Sequence, residues 1–160
     1  MNTKLRLSLL SLWLGSASLF SFVVAPAAFK ALPSPWLAGN VVNRVLGVTE
    51  IIGIIVGVVL LLLLLATKPA RRALWFEGIT LSLMTLSMAA SKFVVSKNLH
   101  SLRAQYGEAL SSSPALQAVK TVFDGYHQAS VGLMSFNLLA TLLLIAYLIR
   151  RPVNSGESHA

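Results

Sequence analysis

The chain has 160 residues, of which 56% are hydrophobic and only 11% charged, against roughly 25% charged in an ordinary soluble domain. One domain of that length cannot hide so much apolar surface, which argues against a water-soluble enzyme. The net charge of +8 sits mainly at the ends of apolar runs, the pattern of membrane flanks and not of a nucleic-acid face, and the lack of cysteine excludes disulfides, thiolate metal sites and thiol nucleophiles.

Four apolar runs, about 7–29, 45–67, 73–95 and 129–149, reach the 20 or so residues a helix needs to cross a bilayer. They predict an all-α, integral membrane, antiparallel four-helix bundle. Residues 1–150 form a single four-span domain, and 151–160 a polar tail. Lys4, Arg6 and Ala25-Pro26-Ala27 give the first run a competing reading as a secretory signal, but the run is long for one. Residues 30–44, with Pro33, Pro35 and Trp36, read as a connection at the membrane interface. Residues 68–72 read as a tight turn that makes spans two and three neighbours. Leu99, Leu102, Tyr106 and Leu110 keep helical spacing, so span three continues past the membrane into an extended helical segment. Ser113 before Pro114 marks a new helix start. Basic residues are denser at the amino end, in 68–72 and in the tail than in the other two connections. That places both termini in the cytoplasm, in a bacterial inner membrane.

Lipid gives helices no hydrophobic reason to associate, so small residues four apart mark contacts. Gly53 and Gly57 form such a pair in span two, and Ser11 with Gly15, and Ala17, Ser21 and Ala25, form rows in span one. Two polar stripes run along helix faces: Glu77, Thr80, Met84, Ser87 and Ser91 in span three, and His127, Ser130, Met134, Asn137 and Thr141 in span four. Polar groups in hydrocarbon are costly, so both stripes should face the bundle interior. They serve either as interhelical hydrogen bonds or as a polar cleft.

Glu50 and Glu77 each follow a basic residue near a helix start, where the dipole favours a carboxylate. Asp124, His127 and Ser130 are not a catalytic triad, because residues at i, i+3 and i+6 fan along one helix and do not converge. The chain therefore leans away from an enzyme. His100 and His127 lack the spacing of a metal or haem motif, so no cofactor is expected. The expected site is a polar cluster of Glu50, Arg103 and His127 at the outer end, with Phe29 and Phe123 as apolar cover and Ser130 and Asn137 along the same face.

Leu14-Gly15-Ser16 with Ala25-Pro26-Ala27-Ala28-Phe29, then Leu102-Arg103-Ala104 with Gly107, then Phe123, His127 and Ser130 form an ordered pattern across the spans. The chain resembles four-helix bacterial membrane proteins classed as a domain of unknown function, with relatives of the transmembrane protein 205 type, over residues 8–150. Pro26, Phe29 and Phe123 are then motif positions. A more distant similarity to CopD-like copper-resistance proteins lies at the level of the fold. The resemblance implies a four-span protein of unassigned activity. The function expected is binding or helping to move a small solute, ion or lipid-like ligand, with the lipid bilayer as its setting and no nucleic-acid partner. The alternatives are a haem- or copper-linked redox or metal-handling protein and a membrane assembly factor.

Overall fold

A computed structural model describes residues 3–67 and 71–150, apart from the side chains of residues 72, 73, 111 and 112. The expected polar tail and the middle of the 68–72 turn lie outside the described residues. Four long helices succeed one another: α1 (Thr3–Ala31), α2 (Pro35–Thr67), α3 (Leu74–Tyr106, with its first turn from Arg71) and α4 (Pro114–Arg150). Each is long and apolar enough to cross a membrane, and no strand occurs among the described residues.

The helix ends follow local chemistry. The expected 30–44 connection shrinks to residues 32–34. Leu32 is extended, and Ser34 caps α2 by accepting the Leu37 N–H on its hydroxyl at 3.3 Å. Pro35 takes the first helical position, where its missing N–H costs nothing. At the other end of the chain's long connection, α3 does run on to Tyr106 and stops at Gly107, whose φ of 57° suits glycine. A short helical turn, Ala109–Ser112, follows. Ser113 then starts α4 with extended backbone, but its side chain makes no capping bond. From there α4 continues without a break through the fourth apolar run to Arg150.

The helices pack in a ring, each against its neighbour in sequence, with α4 closing on α1. One core layer gathers Leu10 of α1, Leu60 and Leu64 of α2, Leu81 and Met84 of α3, and Leu144 and Leu148 of α4. Early α1 and α3 therefore lie level with late α2 and α4, so neighbours are antiparallel. A second layer holds Trp13, Ala17, Phe20, Leu46, Met88, Met134 and Leu138.

Small residues decide the closest approaches. A Cβ on Gly53 would meet the Trp13 ring at 2.7 Å, and one on Gly57 would meet the Thr85 hydroxyl at 2.2 Å. Ala17 is fully buried. The Ser11–Gly15 row behaves otherwise: both are exposed, and a Cβ on Gly15 would touch nothing. That row faces outward. Outward too lie Leu12, Phe22, Ile55, Leu62, Leu86, Phe93, Leu139 and Leu143. An apolar exterior around a thin core suits hydrocarbon, not water.

Two helices carry a π turn, at Phe20–Val24 in α1 and Ser91–Ser96 in α3. Nothing in the apolar periodicity marks either one.

Candidate functional site

The two buried carboxyl groups of the bundle have different surroundings. Glu77 is fully buried, and Arg6 of α1 donates to it in an ion pair. The expectation that the α3 dipole alone accounts for Glu77 is thereby corrected: the group sits in the second turn and has a cation of its own. Glu50 is also fully buried, but lies in the middle of α2, because that helix begins at Pro35. The dipole effect fades within the first turn, so it does not hold this group. Instead the Ser91 and Ser96 hydroxyls both donate to Oε1 of Glu50, at 2.5 and 2.8 Å. Five residues apart on an α-helix, two side chains diverge by about 140°. The π turn closes five residues apart and brings both serines onto the α2 side. Oε2 of Glu50 is buried without a hydrogen-bond partner among the described residues.

The polar stripes of α3 and α4 meet at one point. The Asn137 side chain donates to the Ser87 hydroxyl at 2.6 Å and to the Leu133 carbonyl at 3.0 Å. Ser87 in turn donates to the Met84 carbonyl, and Thr141 to the Asn137 carbonyl. The void beside Asn137 is about 10 Å³, room for about one water. At this depth the stripes are interhelical hydrogen bonds.

Space opens at the end of the bundle opposite the termini, around Arg103. Its guanidinium donates to Asn40 Oδ1 at 3.5 Å and lies 5.1 Å from the centre of the Phe123 ring, a cation–π stack. It rests on Gly39, where a Cβ would come within 2.1 Å of Nη1. Nε is buried without a partner, and no carboxylate pairs with Arg103 among the described residues. Asp124, which lines one of the pockets beside Arg103, is held by Lys120 at 2.6 Å.

Three cavities meet at Arg103. A pocket of about 200 Å³ is lined by Phe29, Trp36, Phe123 and His127. A cleft of about 350 Å³ lies between α1, α2 and α4, walled by Phe20, Leu46, Met134 and Leu138, with Ser21, Pro26, Phe29, His127 and Ser130 at its polar and outer parts. An open groove of about 900 Å³ runs between α2 and α3.

The structure thus brings Arg103, His127, Phe29 and Phe123 to one cavity and adds Ser130 and Pro26 in the adjoining cleft. It does not bring Glu50 there. Glu50 takes its bonds from serines and not from Arg103 or His127, because it lies level with Ser96, seven residues or about 10 Å before Arg103 along α3. Asn137 lies deeper still, and Gly53 and Gly57 serve packing. His100 lines the groove while His127 lines the cleft. No group of three His, Cys, Asp or Glu among the described residues is placed to hold a metal.

Gly39 and Asn40 were not singled out in the sequence, and Arg44, Lys92 and Lys97 counted there only as flanking basic residues, yet all border Arg103 or its groove. The Ser34-Pro35 start signal was the missing clue: with α2 beginning there, Gly39, Asn43 and Gly47 fall four apart on one face.

Comparison with known proteins gives the chain relatives but no chemistry. A family model described as "Domain of unknown function (DUF4149)" matches residues 8–108, taking in Glu50 and Arg103. A protein of Aquifex aeolicus (strain VF5), named "Uncharacterized protein", is 36% identical over 150 residues, 93% of this chain and 98% of that protein. No solved structure matches. With the first three helices matched by the family model and a relative aligned over nearly the full length, the chain belongs to the DUF4149 family.

Proposed function

We propose that this is an integral membrane protein that binds a small amphiphilic, lipid-like ligand in the cleft between α1, α2 and α4. The observation that carries the reading is the cleft itself. Its volume of about 350 Å³ falls in the range of small-molecule sites, and it combines an apolar wall with a few polar groups. Ser21 Oγ, in the π turn of α1, is buried there with no hydrogen-bond partner among the described residues. π turns recur at functional sites. His127, Ser130 and Arg103 supply further donors at the cleft's outer part.

The test is mass spectrometry of small molecules extracted from full-length protein purified in mild detergent. Wild type and Gly15→Ala, altered on the open face of α1, should carry a near-stoichiometric amphiphile. Ser21→Leu, which fills the cleft, should carry roughly ten-fold less. A wild type without amphiphile, or an undiminished Ser21→Leu, refutes the reading.

The denser basic flanks at the termini support cytoplasmic termini in a bacterial inner membrane. The chain has no cysteine, so single cysteines report cleanly. An impermeant thiol reagent on intact spheroplasts should label Ala115→Cys and spare Thr3→Cys, and the opposite pattern would invert the orientation.

A further inference from the structure

The groove between α2 and α3 has a one-sided charge balance. Arg44, Lys92, Lys97 and Arg103 line it, together with His100, and no acidic residue does. The chain has only five acidic residues, and three of them are bonded elsewhere: Glu77 to Arg6, Asp124 to Lys120, Glu50 to two serines. None of the four cations has a carboxylate partner among the described residues. Lys92 makes one bond, to the Gly47 carbonyl at 3.2 Å.

The groove also holds donors that lack acceptors. Trp36 Nε1 and Arg103 Nε are both buried, both border it, and neither has a hydrogen-bond partner among the described residues. Unpaired buried donors are rare because each forfeits its hydration. Cations without a carboxylate, beside two buried donors without an acceptor, suit an anionic acceptor.

The apolar part of the lining identifies where that anion comes from. Val41, Val48, Ile51 and Phe93 flank the basic residues, and Val48, Ile51 and Phe93 are about half or more exposed. The exposed strip continues along α2 through Ile52 and Ile55. A basic head next to an outward apolar track, at the end of a membrane span, matches a phospholipid: phosphate among the cations, acyl chains along the helix. We infer that the α2–α3 groove, lined by Arg44, Lys92, Lys97 and Arg103 with the unpaired donors of Trp36 and Arg103, binds the phosphate headgroup of an anionic phospholipid of the surrounding membrane. This site is separate from the α1–α2–α4 cleft and shares only Asn43 and Arg103 with its lining, and Lys92 and Lys97 belong to the groove alone, so either assignment can fail without the other.

Full-length protein in mild detergent, doped with either phosphatidylglycerol or phosphatidylcholine, provides the test, with bound lipid counted by native mass spectrometry. Wild type should retain phosphatidylglycerol in preference to phosphatidylcholine. Lys92→Gln with Lys97→Gln should reduce that preference roughly 30-fold, about five-fold per lysine. Lys97→Gln alone, at an exposed position, should reduce it about five-fold without any folding burden, and Lys4→Gln at the opposite end should leave it unchanged. Millimolar inorganic phosphate should not displace the lipid; if it does so fully, the groove is a free-phosphate site and the proposal falls. Equal retention of the two lipids, a preference that survives Lys97→Gln, or an acidic polypeptide that co-purifies and shields Lys97 from acylation would likewise overturn it.

Discussion

Individual residues show how this bundle treats charge. Arg6 and Glu77 neutralise each other inside it, both almost fully buried. Removing one partner takes from the other the opposite charge that the pair supplies, whereas replacing both with apolar side chains removes that imbalance. Arg6→Met should therefore lower stability by about 3 kcal/mol, and Arg6→Met with Glu77→Leu should restore most of it, as read by thermal unfolding in detergent. Equal losses in both variants would mean that the pair is not the stabilising unit. Sequence reasoning found Glu77 and its interior-facing stripe. It could not find Arg6 as the partner, because 71 residues separate the two and only the folded bundle brings the two side chains together across its interior.

At the scale of elements, α2 and α3 carry most of the specification. The Gly53–Gly57 pair was legible in sequence, since small residues four apart have one dominant use in lipid. The same logic failed for Ser11 and Gly15, which share that spacing and face outward. Spacing defines a face but not what stands opposite it. Gly53→Val, pressed against the Trp13 ring, should cost about 1–3 kcal/mol. Gly15→Ala, with open space around it, should be neutral or stabilise the helix by up to about 1 kcal/mol. Detergent unfolding of the two variants side by side separates these outcomes. The π turn in α3 makes its own prediction. Ser96→Ala removes one of two hydroxyls from Glu50 Oε1 and should destabilise by about 1 kcal/mol, with Ser101→Ala, exposed on the same helix, as the neutral control. The turn itself was not legible, because an added residue in one turn leaves the apolar pattern on either side intact.

For the whole molecule, the apolar exterior is the governing fact. Leu86 is 65% exposed in the middle of α3, a position tolerable only against hydrocarbon. Leu86→Arg should oppose membrane insertion by about 2.5–3.5 kcal/mol, read as the inserted fraction in a translocon assay, while Ala115→Arg beyond the apolar stretch should insert normally. Unimpaired insertion of Leu86→Arg would show that this face is not turned to lipid.

The sequence by itself determined the number of long helices, their membrane-span character, the run of α3 past the third apolar stretch and the renewed start at Ser113-Pro114, because each follows from hydrophobic length and from local backbone chemistry. It also singled out Arg103, His127, Phe29 and Phe123, which do share a cavity. Only the tertiary structure decided that Glu50 pairs with Ser91 and Ser96 instead of joining them, that Gly39 makes room for Arg103, and that four cations collect along one groove. Those outcomes depend on the rotation and axial level of one helix against another. Two helices can keep the same amphipathic faces while sliding by a turn, about 5.4 Å, and a shift of that size changes every polar partner while leaving the hydrophobic pattern as it was.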